Sequence, residues 1–386
     1  MRKILAVTGI RSDYDIMFPV LKELKNNNYE VNLVITGAHL SNWHGDSLQR
    51  VEQDGFKVVD KIDYLLSTNR LTQRSKGVGL LISGLTQTVE REKPDFLLFL
   101  GDREEALATS VVGNYMNILT IHLAAGDSVW GNADDPIRHS ASRLSHILVA
   151  FAENYAQNLI KQKEEPFRIL CSGNPSYVNI ANEPEISLKE ISSAINFDVE
   201  NNPYIIMIKH PLSSEYESAY SQMKCALAGV GKFAEENNVK VINIYPNTDP
   251  GAYDILRAIN ECKNENILFY KTLPRNIFIN LVRRALCLTG NSSMGIVEAP
   301  FFKLPVVNIG HRQRGRLNAG NVEFVDYDID KISVALKKAC FDEDYRKHVR
   351  ALLNPYGDET AAKKIVEFID KVDLADRKWY VKKLVE

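Results

Sequence analysis

Short apolar runs alternate with longer amphipathic ones along most of the chain. In runs such as Phe96-Leu97-Leu98-Phe99-Leu100 every position is apolar, as expected of strands covered on both faces. Alternation of such strands with helical periodicity is the βαβ signature of a parallel sheet. In the first half the pattern predicts strands near Lys3–Val7, Val31–Thr36, Phe96–Leu100, Thr120–His122, Ile147–Ala150 and Arg168–Leu170. Helices are predicted at Tyr14–Asn26, Gly77–Glu92 and Glu104–Asn117. The alternation lapses after Cys171 into a turn and an irregular polar stretch containing Pro184 and Asn201-Asn202-Pro203. It then resumes with strands at Tyr204–Lys209, Val239–Tyr245, Ile267–Tyr270, Ala285–Thr289 and Pro305–Ile309.

This pattern implies an α/β protein of two doubly wound, Rossmann-like domains facing a central cleft. The predicted boundaries are 1–172 for the first domain, 173–202 for a linker and 203–365 for the second. Amphipathic segments at Thr360–Lys371 and Asp376–Leu384 are read as helices, with residues from about 366 to 386 packing back on the first domain. A length of 386 residues agrees with two domains, because a single core rarely keeps growing at that size.

Composition narrows the function. Lysine and arginine number 47 and aspartate and glutamate 49, a net charge of −2, so no nucleic-acid or membrane-surface partner is expected. The cysteines are scattered without a CxxC pair, which reads as a reducing, cytoplasmic setting. The basic start and short apolar run at residues 1–9 resemble a signal peptide, but Thr8, Gly9 and Arg11 break the run, and it reads better as a buried strand. No stretch approaches the roughly 20 apolar residues of a membrane helix.

Candidate chemistry lies where strands end. After the first strand, Gly9 permits a tight turn and Arg11 offers a planar fork of donors ahead of a helix, which suits an anion. The same loop is equally readable as a helix capped by Ser12 or Asp13 beside a solvated Arg11. A stronger anion site follows Ala285–Thr289: Gly290-Asn291-Ser292-Ser293-Met294-Gly295 combines small residues, hydroxyls and an expected helix start. Glu298, about one turn further on, is placed to accept ribose hydroxyls, as for a nucleoside diphosphate. His210 projects from another strand end as a donor to phosphate, and Asn247 and Asp249 lie in a turn after a third.

In the first half, the stretch Pro94–His146 reads as the catalytic half. It delivers Asp102, Asp127, Asp134 and Asp135 from two neighbouring strand ends and the loop between them. Clustered carboxylates raise one another's pKa, so that one stays an acid while another acts as base. Metal ligation is a second use, although no DxD spacing supports it, and Asp134 or Asp135 as cap of a helix at Pro136–Leu144 is a third.

These residues together resemble the hydrolysing UDP-N-acetylglucosamine 2-epimerases of the sialic- and legionaminic-acid pathways. Thr8-Gly9-Ile10-Arg11-Ser12-Asp13-Tyr14 is similar to TGTRADY, and Leu100-Gly101-Asp102-Arg103 to LGDR. Asp134-Asp135-Pro136-Ile137-Arg138-His139 and Leu144-Ser145-His146 are similar to DESIRH and LSH. In the second half, 245–251 resembles YPNADAG, 290–300 GNSSSGIIEAP, 305–310 PTVNIG and 312–316 RQKGR. The non-hydrolysing epimerases fit less well, since their HRRE motif stands where this chain has His210-Pro211.

The resemblance implies a GT-B fold and a homodimer with no organic cofactor, holding a UDP-sugar in the cleft; no metal is indicated by the spacing of the carboxylates. Its chemistry removes the C2 proton as UDP leaves C1, giving a 2-acetamidoglucal that water converts to the free 2-epimer, such as N-acetylmannosamine. Carried over by position, Asp102, Asp127 and Asp134 form the acid/base set. Arg11, His210, Ser292 and Ser293 hold the diphosphate, and Glu298 the ribose. Gly9, Arg103, Arg138, His139, Asn247, Gly290, Asn291, Gly295, Arg312 and Arg316 complete the substrate-binding set. The chain departs from the family's HIHGGE, where it has His122-Leu123-Ala124-Ala125-Gly126-Asp127. A histidine becomes Ala124 and a glutamate Asp127, which brings UDP-2,4-diacetamido-2,4,6-trideoxyglucose in as a rival substrate. Three rival activities are also compatible with the sequence: non-hydrolysing epimerisation, glycosyl transfer on the same fold, and catalytically silent sensing of a nucleotide sugar.

Overall fold

The computed structural model describes residues 1–41, 47–66, 72–127, 134–247 and 250–383. They divide into two compact units, one from the described residues within 1–128, 133–179 and 356–386, the other from those within 180–355.

The first unit holds a seven-stranded sheet of β1 (Lys3–Thr8), β2 (Glu30–Thr36), β3 (Lys57–Ile62), β4 (Phe96–Leu100), β5 (Leu119–Leu123), β6 (Ile147–Ala150) and β7 (Ile169–Cys171). Its order is β3-β2-β1-β4-β5-β6-β7 and every pairing is parallel. The second unit holds β8 (Tyr204–Ile208), β9 (Lys240–Ile244), β10 (Ile267–Tyr270), β11 (Leu288–Gly290), β12 (Val306–Ile309) and β13 (Val322–Val325). These form a parallel six-stranded sheet in the order β10-β9-β8-β11-β12-β13. In each sheet the order reverses once, between β1 and β4 and between β8 and β11. Loops leaving the carboxyl ends of those pairs diverge, which opens the crevice where such sheets bind ligands.

The central strands are buried because helices cover both faces. β4, β5, β6 and β8 are buried at every position, whereas β3 and β13 are mostly half-exposed. In the second unit one face packs Met207, Phe233 and Leu336 together, and the other packs Ile206, Leu281 and Leu304.

Three segments differ from the sequence expectation. Residues 173–202 are not irregular throughout: helices Ser176–Asn182 and Leu188–Ile195 form there, the second held by a capping box between Ser187 and Glu190. The helix expected at Asp376–Leu384 is only the 3-10 turn Arg377–Trp379, with Leu384 outside the described residues. The cause is Arg168, which is fully buried and donates to the carbonyls of Trp379 and Val381, each at 2.8 Å, and to that of Lys378. Those carbonyls are thereby taken from a helix ladder. The third difference is the pair of edge strands β3 and β13, which the apolar pattern does not predict.

No helix among the described residues is long and apolar enough to cross a membrane. All five cysteines are unbridged.

Arg168 also bonds Glu165 at 2.6 Å, so truncating it strands several buried acceptors. Arg168→Ala is expected to lower the free energy of unfolding by about 3–5 kcal/mol, read from urea denaturation. A midpoint unchanged from wild type would show that the C-terminal segment does not depend on this side chain.

Candidate functional site

In the first unit the candidate residues gather at the β1/β4 switch point. The helix Arg11–Asn26 begins directly at Arg11, capped only by the extended backbone of Ile10, so neither Ser12 nor Asp13 is its N-cap. Arg11 lies beside Asp15, with Nε 3.8 Å from the carboxylate. Beneath this loop lies Glu105, which sequence reasoning does not single out. A Cβ on Gly9 would overlap the Glu105 carboxylate, so only glycine leaves room for it. Glu105 Oε1 accepts from Thr36 Oγ1 at 3.0 Å and from Tyr64 Oη at 2.8 Å. The carbonyl of Gly9 accepts from the His39 N–H at 3.2 Å. Burial pushes the Glu105 carboxyl above its usual range, against the pull of the Tyr64 hydroxyl.

Asp102 leaves β4 beside this loop and is paired to Arg138, a residue only 5% exposed. Arg138 Nη1 also donates to the Ala124 carbonyl at 2.7 Å. The sequence places Arg138 among the substrate-binding residues; in the structure it ties the loop after β5 to the carboxylate after β4. His122 strengthens that tie. Its Nε2 lies 2.7 Å from the Gly101 carbonyl and its Nδ1 3.0 Å from Ser142 Oγ. Burial pushes its pKa down to about 3, so the ring is neutral, with Nε2–H donating to the carbonyl and Nδ1 accepting from the hydroxyl.

Asp127 is buried at the end of the same loop. Gly126 before it has φ 78°, and a Cβ there would meet the Tyr155 carbonyl. Asp134 begins the helix Asp134–Leu144, but its side chain, like residues 131–133, lies outside the described residues. Asp135 faces His139 at 3.5 Å, and Gln162 lies 3.1 Å from His139 Nδ1. Arg103 is the extended residue preceding the helix Glu104–Met116.

In the second unit the candidates gather at the β8/β11 switch point, around a reciprocal clamp. Asn291 Oδ1 accepts the His210 N–H at 2.6 Å, and Asn291 Nδ2 donates to the His210 carbonyl at 2.8 Å. His210 Nδ1 accepts the Asn247 N–H at 2.9 Å, which puts the proton of a neutral ring on Nε2. Asn291 therefore organises His210 through its side chain. Its own carbonyl accepts from Arg312 Nη1 at 3.2 Å and from Gln313 Nε2 at 3.1 Å, and Gln313 Oε1 accepts from Arg316 at 2.9 Å. Gln313, almost fully buried, is another residue that sequence reasoning does not single out.

The expected helix after Gly290 is shorter than its sequence implies. It covers only Met294–Val297, and Glu298 is its C-cap rather than a residue one turn in. Pro300 cannot donate to the ladder, and Gly290, at φ 111°, lies against the Ile208 backbone. So short a helix supplies little dipole. What it leaves is the turn itself, where among the described residues neither the Ser292 nor the Ser293 N–H donates to a backbone carbonyl. Gly295 packs against Val306. Burial pushes Glu298 up to about 7, partly offset by Arg316. Asp249 and Thr248 lie outside the described residues.

Among the described residues no group of three or more His, Cys, Asp or Glu side chains is placed to hold a metal ion. The first unit thus presents a carboxylate, Asp102, fixed by a buried arginine, and the second presents N–H and imidazole donors beside a buried asparagine.

Two parallel α/β units of this build define the GT-B class of fold, and similarity to known proteins agrees. A solved UDP-GlcNAc 2-epimerase from Neisseria meningitidis, described as bound to UDP-GlcNAc, superposes with a TM-score of 0.83 at 22% identity, covering 96% of this chain and all (100%) of that one. The family model for UDP-N-acetylglucosamine 2-epimerase matches residues 22–370, and the chain belongs to that family. It is 31% identical to a UDP-N,N'-diacetylbacillosamine 2-epimerase (hydrolyzing) of Legionella pneumophila over 97% of each chain. It is 30% identical to a UDP-N-acetylglucosamine 2-epimerase of Neisseria meningitidis serogroup B over 88% of each.

Asp13, in the first turn after the Gly9 loop, supplies a pH test of this geometry. Burial, with Glu105 and Asp102 nearby, pushes its pKa up to about 7 against the pull of Arg103. A carboxyl raised above its unfolded value favours folding while protonated. That contribution is complete below about pH 4 and is lost as pH rises through about 7. Asp13→Asn is therefore expected to melt above wild type at pH 8 and to converge with it near pH 4, by scanning calorimetry. A constant offset between the two curves would contradict the assignment.

Proposed function

We propose that the chain hydrolyses a UDP-linked 2-acetamido sugar with epimerisation at C2, releasing UDP and the free 2-epimer. The carrying observation is the contrast between the two switch points: hydrogen-bond donors suited to a departing diphosphate in one unit, a rigidly held carboxylate in the other. In this reading the Nε2–H of His210 and the N–H groups of Ser292 and Ser293 stabilise charge as UDP leaves C1, with Arg11 assisting. Glu298 receives the ribose hydroxyls. Asp102, Asp127 and Asp134 move the protons: one takes the C2 proton during elimination, and another returns a proton at C2 as water adds to C1 of the glycal. The names of the Legionella and Neisseria relatives support the reaction class.

Ala124 and Asp127 favour the sugar with the bulkier C4 substituent. Both are smaller than the residues of the family motif, and they lie on the loop that Arg138 holds beside Asp102, so in this reading the shorter side chains leave room there. A 2,4-diacetamido-2,4,6-trideoxy sugar fits that change better than N-acetylglucosamine.

Incubation with each UDP-sugar in deuterated water, followed by NMR, tests the proposal. Free UDP and a 2-epimer carrying deuterium at C2 are expected, with faster turnover of the diacetamido donor. Epimer still bearing UDP would indicate non-hydrolysing chemistry, and UDP release only with an added acceptor would indicate a transferase. Asp102→Asn keeps an acceptor for Arg138 while removing the ionisable group. It is expected to cut kcat by about 10²–10⁴-fold with UDP affinity unchanged, and full activity would remove Asp102 from the mechanism.

A further inference from the structure

The second unit contains a charge that neither the fold nor the proposed chemistry has used. Lys209 follows β8 and precedes His210, and its side chain is 1% exposed. Its ammonium has no hydrogen-bond acceptor among the described residues. It lies instead over the face of Tyr327, 5.2 Å from Nζ to the ring centroid. Tyr327 follows β13, and β11 and β12 lie between β8 and β13. The ammonium therefore points from β8 toward the β13 side of the sheet, where Arg312 of the loop after β12 also faces it.

The groups facing the ammonium are Glu215 from the segment after β8, Arg312 from the loop after β12, Cys225 from the helix Ala219–Asn237, and Tyr327. Glu215 is the only acidic side chain among them, and its oxygens are already committed, one to His311 at 3.0 Å and the other to Gln222 at 2.6 Å. Arg312, the other cation, donates to the carbonyl of Asn291. The local balance is positive, next to the clamp that fixes His210.

An ammonium buried without an acceptor costs several kcal/mol, and a methionine of similar volume would avoid that cost. Retention of such a charge beside a cluster of fixed donors points to use by a ligand of opposite sign. We infer that Lys209 is a buried cationic positioning residue of the β8/β11 anion site, acting on the diphosphate of a nucleoside diphosphate through the His210–Asn291–Arg312 frame. This rests on the nucleotide reading proposed above. Burial also pushes the Lys209 pKa down to about 8, with Arg312 adding to the shift and Glu215 opposing it, so the charge is lost just above neutral pH.

The test is calorimetric titration of the whole protein with UDP, and with uridine as uncharged control, at pH 7 and about 9, for wild type, Lys209→Met and Lys209→Arg. For wild type, UDP binding is expected to weaken about fivefold to tenfold between the two pH values. Lys209→Met should bind UDP about that much more weakly at pH 7 and lose the pH dependence, Lys209→Arg should restore binding at both, and uridine should not distinguish the three. Thermal melting supplies the second readout: Lys209→Met should melt at or above the wild-type temperature at pH 7, because it removes an uncompensated buried charge. Wild-type UDP affinity and pH slope in Lys209→Met would overturn the assignment. A lowered melting temperature with equal losses for UDP and uridine would also overturn it, as the mark of a packing role. Absence of UDP binding by wild type at either pH would overturn the nucleotide reading itself, and this assignment with it.

Discussion

The guanidinium of Arg138 reaches the half-buried Asp102 from the helix that follows β5, and it is itself buried there. Burying such a group is costly unless its partners are in place, so the pair is stable only when the loop after β4 and the loop after β5 hold one fixed relation. His122 adds a neutral bond to the Gly101 carbonyl, and the Gly101 N–H in turn donates to the Leu123 carbonyl at 3.0 Å. Asp102 is thereby restrained from both sides of the backbone and from its own carboxylate. In the proposed mechanism such a carboxylate meets a carbon-bound proton, and there the restraint matters, because misplacement of about 1 Å costs orders of magnitude in rate.

The second unit reaches a comparable rigidity by neutral means. Asn291 uses donor and acceptor on the backbone of a single residue, His210, and its own carbonyl is in turn satisfied by Arg312 and Gln313. A satisfied amide network carries no net charge and so leaves the surrounding field to the charged side chains around it. Lys209 and Arg312 together set the sign of that field. The two units differ accordingly: fixed negative charge at one switch point, fixed donors beside buried positive charge at the other.

The parts legible from sequence are the uninterrupted apolar runs. β4 and β6, buried at every position, and β10, an edge strand that is apolar throughout though mostly half-buried, fall at the expected residues because an all-apolar run bounded by turn residues has few other uses. β3 and β13 escape such a reading because edge strands such as Lys57–Ile62 and Val322–Val325 keep polar residues at half-exposed positions and lose the signature. Among site residues, the strand-end positions Asp102, His210 and Ser292 are readable, since parallel topology alone brings them to the ligand edge. Glu105, Gln313 and Lys209 are not. A polar residue inside a helix or at a strand end declares neither its burial nor its partner, and both are set by elements distant in sequence.

Position 124 shows how backbone geometry bears on the remaining question of which sugar is recognised. Ala124 has φ 61°, in the left-handed region, where a non-glycine residue is strained by about 1 kcal/mol or more. Histidine, the residue that the family motif carries there, is among the side chains that enter this region more readily, whereas alanine brings no compensating hydrogen bond. The strained conformation is nonetheless kept, because the Ala124 carbonyl must face Arg138 and the Ala125 N–H must reach the Val149 carbonyl. The backbone of the loop is thus held in form by its buried contacts while its side chain is cut back to a methyl group. On the proposed function, a change that spares the frame and shortens only the side chain bears on the space offered to the sugar rather than on the hydrogen bonds that hold the loop.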